Sequence, residues 1–421
     1  MRSVLADPVR AKAGRPLWWV AGLSLSLLLV AGLVTWSVLD SDPYVAGQGR
    51  PTAPQAEPSL AAAALHDLED AVVAGDADAA HALAPQGDRG AGSLLTAVVD
   101  NARALHVRDF SLRYVDEEGG VADDGSWAAA VDATWRFEGF DAQPARAEVT
   151  VRFVARGDRV AVAGFGGGGR RTPLWLASRL EVRRTPATLV MVAGPADEAD
   201  AYARRARTAV PVVRRVLPRW RSGLVVEVPA SAHDLDATLD ADPGEYANIA
   251  AVTSTVDGSL APGSPVHVFV NPEVFDSLRP QGAQVVMSHE AVHVATGAAT
   301  SNLPLWLLEG FADYVALRDV DLPLTTTAGQ VIRQVRRHGP PARLPGAAEF
   351  DTTTTHLGAT YESAWFACRL LAGTGGEAAL VRLYERVDHG AALGPALRSS
   401  FGLTVGQLTR RWRQGLSDLA S

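Results

Sequence analysis

The hydrophobic pattern divides the chain before any single residue does. Residues 17–39 form an apolar stretch without a charge, behind a short segment carrying Arg2, Arg10, Lys12 and Arg15. The length matches the roughly 20 residues needed to cross a bilayer. Trp18, Trp19 and Trp36 stand near its ends, as interfacial anchors do. The pattern predicts a basic cytoplasmic tail (1–16) and a transmembrane signal anchor (17–39), with the rest of the chain on the far side of the cell membrane. A cleaved signal peptide is the alternative, with a poor small-residue site around Val45-Ala46-Gly47.

Residues 40–59 are rich in Pro, Gly, Gln and Ala and read as a flexible stalk. Helical periodicity follows at 61–73 and 94–105, then strand-like stretches at 107–115, 127–137, 145–154 and 159–165, several alternating apolar and polar. Helices followed by a four-strand meander predict a small α+β domain over 60–166. In its order of elements it resembles the cystatin-like cone folds. The glycines of 164–169 lack a following P-loop Lys-Ser/Thr and read as a linker.

Beyond it the pattern changes to short strands and then to helices. Strands are expected at 189–192, 224–228 and 266–270, with an arginine-studded helix at 198–217. The stretch 248–254 is a candidate sheet edge. The remainder is mostly helical, at 329–337, 361–371, 377–387, 393–399 and 405–419, with a loop-rich segment at 322–356. A net charge of −8 gives no support to nucleic-acid binding. The single cysteine, Cys368, lies in an apolar run and cannot form an intrachain disulfide.

The chemistry concentrates in Ser288-His289-Glu290-Ala291-Val292-His293 and the following Leu305-Trp306-Leu307-Leu308-Glu309-Gly310-Phe311-Ala312-Asp313-Tyr314. Helical residues four apart share a face, so His289 and His293 can close on one metal ion. Glu290 can then reach a water in the open coordination position. A bare H-E-x-x-H is also compatible with a surface helix carrying two histidines. The apolar neighbours Val285, Val286, Met287, Ala291 and Val292 argue for a buried helix instead. A carboxylate in the apolar run 305–317 is expensive unless paired or bound to metal, which makes Glu309 the natural third ligand. Asp313, four residues on, is either the partner of a ligand histidine's second ring N–H or a surface acid.

H-E-x-x-H followed by W-L-x-E-G-F-A-D-Y resembles the gluzincin metallopeptidases, the clan of thermolysin and the zinc aminopeptidases, and in particular the peptidase-MA-like proteins. The resemblance covers about half the chain, a metallopeptidase-like domain over 174–421, and is specific between Ser288 and Tyr314. It implies a zincin-like domain with Zn²⁺ held by His289, His293 and Glu309, and Glu290 as general base. It also implies an edge strand that holds an extended peptide. The Gly-Ala-Met-Glu-Asn-like segment of the zinc aminopeptidases is missing upstream, which puts exopeptidase activity in doubt. Tyr361, at the head of a later helix, is a candidate oxyanion donor, with helix-cap packing as its other reading. His356 is a second candidate for the same role. The expected function is a membrane-anchored zinc metallopeptidase acting on a peptide or protein substrate. A non-catalytic envelope module with a structural zinc, or a zinc hydrolase of a non-peptide bond, stands as the alternative.

Overall fold

The computed structural model describes residues 55–261, 263–351, 354 and 356–421, within a single compact unit spanning Pro54–Ser421. It is an α+β fold. Among the described residues no helix is long and apolar enough to cross a membrane. The α+β class stands, and the finding corrects the membrane-spanning helix within the expected fold class and the expected single-pass placement in the cell membrane. The apolar stretch 17–39, with the tail before it and most of the stalk after it, lies outside the described residues.

The described chain opens with α1 (Pro58–Ala74), α2 (Ala77–Ala82) and α3 (Arg89–Leu105). The side chains of Asp76 and Asp88 cap α2 and α3 by accepting backbone N–H groups. The antiparallel meander β1 (Val107–Glu118), β2 (Ser126–Phe137), β3 (Ala145–Arg156) and β4 (Arg159–Phe165) follows in sequential order. Alternation places Trp127, Ala129, Val131, Ala133, Trp135 and Phe137 of β2 in one core with Leu65 and Leu68 of α1 and Leu95 and Val98 of α3.

A second sheet is built from β5 (Glu181–Arg184), β6 (Thr188–Val192), β7 (Leu224–Val228), β8 (Ala251–Thr255) and β9 (Val266–Val270). Its spatial order is β5-β6-β7-β9-β8. The central strands β6, β7 and β9 run parallel, and β5 and β8 pair antiparallel at the two edges. Between them in sequence lie α4 (Ala196–Val216) and α5 (Ala232–Leu239). Both faces are covered, so the strands read as unbroken apolar runs rather than alternating ones. Val190, Val226 and Val268 face the helical core, while Leu189, Met191, Val225 and Phe269 pack with Trp135, Phe137 and Trp175. The core under the meander therefore continues onto the back of this sheet.

The helical half comprises α6 (Pro280–Thr296), α7 (Leu305–Leu317), α8 (Gly329–His338), α9 (Leu357–Gly375), α10 (Glu377–Asp388), α11 (Leu393–Phe401) and α12 (Val405–Ala420). Helix α6 is wedged between α4, α7 and strand β8, which is why its sequence is apolar on more than one side. Pro280 suits its first turn, where no N–H is needed. Gly297 stops it in the left-handed region (φ +68°), with its N–H turned back to the carbonyls of His293 and Val294. The turn that carries His293 is thus also the turn that redirects the chain towards α7.

Candidate metal centre

Helices α6 and α7 bring three donor atoms to one point. His289 Nε2 and His293 Nε2 are 2.9 Å apart. Glu309 Oε2 lies 3.2 Å from the first and 3.3 Å from the second. The three residues could hold a metal ion. The protonation pattern fits: Asp313 Oδ1 is 2.8 Å from His289 Nδ1, and an ionised carboxylate can only accept. The Nδ1 therefore carries a hydrogen, so that once Nε2 gives up its own proton its lone pair is directed at the shared point. His293 Nδ1 is buried and has no hydrogen-bond partner among the described residues.

The electrostatics of the cluster follow from this crowding. Burial alone would lower the pKa of His289, but Asp313 and Glu309 outweigh it and hold the ring well above its ordinary value. Burial would raise the Glu309 carboxyl, yet His293 and His289 bring it well below the usual carboxylate range. A cation occupies this point most cheaply, whether a proton or a metal. Metal binding would have to displace the proton.

Glu290 stands next to His289 on α6 and is 7% exposed. Burial raises its pKa, opposed by His289, His293 and a hydrogen bond from Thr253. That bond is short: Thr253 Oγ1 lies 2.7 Å from Glu290 Oε2, and 3.2 Å from the residue's own carbonyl oxygen. Thr253 belongs to β8, the expected edge strand, which runs over Ala251–Thr255 rather than 248–254.

Tyr361 lies one turn inside α9, which begins at Leu357, so it is not a helix-cap residue. Its ring centroid is 6.1 Å from that of His289 and 5.2 Å edge-on from Phe350. Burial, then Glu309, Glu290 and Asp313, push the phenol well above its usual pKa and keep it a donor. Gly310 makes this approach possible, because a Cβ there would come within 2.3 Å of the Ala364 carbonyl oxygen on α9. His356 is exposed just ahead of α9, with its carbonyl oxygen taking the Thr360 N–H, and is not drawn into the cluster. Pro304 sits at the N-cap of α7. Cys368 is fully buried.

A second buried histidine lies behind the sheet. His267 on β9 is 1% exposed. Its Nδ1 is 2.7 Å from Glu227 Oε1 on β7, and its Nε2 is 3.0 Å from Asp141 Oδ1, in the turn after β2. Asp141 also accepts the Phe137 N–H, and the Phe137 ring stacks on the imidazole at 5.6 Å. Burial would lower the pKa of His267, but the two carboxylates lift it to about 9.

The chain matches no protein-family model, and no curated protein is similar to it. Thr253, His267, Asp141 and Glu227 escape a reading of the sequence because each partner is distant along the chain. The one available signal is a charged or polar residue inside the otherwise apolar strands β7 and β9.

Proposed function

We propose that the protein is a zinc metallopeptidase of the gluzincin type that its motifs resemble, hydrolysing peptide bonds with Glu290 as general base. The observation that carries this reading is the convergence of His289 Nε2, His293 Nε2 and Glu309 Oε2 on one point, with the buried Glu290 carboxylate beside it. Two imidazoles, one carboxylate and an open fourth position form the donor set of catalytic zinc. When bound there, zinc supplies Lewis-acid chemistry, polarising a carbonyl and acidifying a water.

The chain's own residues do the rest. Glu290 takes the proton of the attacking water and hands it to the leaving amine. Asp313 fixes the tautomer and ring orientation of His289. Tyr361, held protonated, donates a hydrogen bond to the developing oxyanion. The unpaired side of β8 offers backbone N–H and C=O groups to an extended peptide. A purely structural zinc would close its coordination with a fourth protein donor. Among the described residues the group has three, which supports the catalytic reading.

The test is hydrolysis of a mixed peptide library by the zinc-loaded protein, with and without a chelator, beside Glu290→Gln. Chelator-sensitive cleavage that the variant lacks is expected, and internal against terminal cuts will distinguish an endopeptidase from an exopeptidase. A folded, zinc-loaded protein that cleaves no member of the library would refute the peptidase reading in favour of a structural site or a non-peptide substrate.

A further inference from the structure

We infer that Thr253 is a positioning residue that sets the Glu290 carboxylate from the substrate-binding edge strand, an inference that rests on the catalytic reading of Glu290 given above. A buried glutamate has three side-chain torsions to fix, and a general base must be held in one geometry to take a proton along a defined line. Helix α6 alone fixes only the Cα–Cβ direction. The second anchor comes from the sheet.

Thr253 pairs with Val268 across β8 and β9. Its hydroxyl lies within bonding distance of two oxygens of Glu290, the carboxylate Oε2 at 2.7 Å and the main-chain carbonyl at 3.2 Å. A threonine hydroxyl has one hydrogen to give. The nearer, charged acceptor takes it, because charge-assisted bonds are the shorter and stronger ones. One carboxylate oxygen is thereby occupied, and Oε1 is left for the water. The anchoring strand is also the free edge of the sheet, so the strand that would pair with the substrate backbone is the one that holds the base. A peptide added to β8 and the carboxylate that serves its hydrolysis then share one rigid reference.

The alternative is a purely structural bond that ties β8 to α6. Two variants separate the roles. Thr253→Val keeps the shape and removes the hydroxyl, while Thr253→Ser keeps the hydroxyl. With the full protein and the peptide library as substrate, Thr253→Val is expected to retain stoichiometric zinc and the wild-type KM. Its kcat should fall roughly ten- to a hundredfold, the range for losing one hydrogen bond to a charged group. Thr253→Ser is expected to recover kcat to within about threefold of wild type, the hydroxyl being what matters. In a crystal structure of zinc-loaded Thr253→Val, the Glu290 carboxylate is expected to leave its wild-type position. An unchanged kcat, or a loss of zinc and folding in both variants, would overturn the inference. If the zinc-loaded wild type cleaves no peptide, the peptidase reading fails by itself. The placement of Glu290 in Thr253→Val then decides the present inference: displaced supports it, unmoved refutes it.

Discussion

Two buried histidine clusters in this protein use the same residue types in opposite ways. At the front of the sheet, His289 and His293 turn their Nε2 atoms towards each other and towards Glu309. At the back, His267 has one carboxylate on each side of its ring, Glu227 at Nδ1 and Asp141 at Nε2. The first arrangement converges lone pairs on a point. The second satisfies both ring nitrogens and leaves nothing to share. Convergence makes a group that could hold a metal ion, and divergence makes a closed ion cluster that fastens the turn after β2 to the sheet strands β7 and β9. Residue type and burial do not separate the two clusters; the directions of the donor atoms do.

The strongest way to break the comparison is to remove a convergent donor. Glu309→Ala should lose zinc altogether, read as metal per protein after dialysis. Glu290→Gln should keep the metal and lose about 10³-fold or more in kcat, within the range of general acid–base catalysis. Tyr361→Phe should lower kcat by roughly 10²-fold with KM nearly unchanged, the size seen for one oxyanion donor. Asp313→Asn should weaken zinc binding by about 10- to 100-fold, as expected for the partner of a ligand histidine, measured by competition with a chromogenic chelator.

The back cluster should respond in stability rather than in metal binding. His267→Gln leaves Asp141 and Glu227 buried without their cation, at a cost of roughly 3–5 kcal/mol, and zinc stoichiometry should stay at wild type. The same cluster gives a pH signature. The pKa of folded His267 is raised to about 9, so its contribution is fully present below the ordinary histidine pKa of about 6.5. It is then lost as pH rises through 9. The wild-type melting temperature should fall between pH 7 and pH 9.5 by more than that of His267→Gln, followed by calorimetry on the metal-free proteins.

How much of this is legible in the sequence differs between the two clusters for a physical reason. His289, Glu290 and His293 lie within five residues on one helix, and Glu309 and Asp313 lie four apart on the next one, so local spacing is enough to bring them together. The partners of His267 are 40 and 126 positions away, and no periodicity connects them. Thr253 is hidden in the same way, 37 residues from Glu290. The strands over 189–192, 224–228 and 266–270 are visible as apolar runs. That both of their faces are covered follows only when the meander packs behind them. Tyr361 is legible as a residue type but not as a position, since the close passage of α9 over Gly310 depends on a backbone contact. A charge-free run at 17–39 meets the length rule for a membrane span, yet length and hydropathy alone do not establish one.

The most direct measurement is anomalous diffraction at the zinc edge from crystals of the wild-type protein loaded with one equivalent of zinc. One peak is expected, within about 2.0–2.2 Å of His289 Nε2, His293 Nε2 and a Glu309 oxygen, and none near His267. A peak at His267, or full density at the first site with Glu309 turned away from it, would contradict the account.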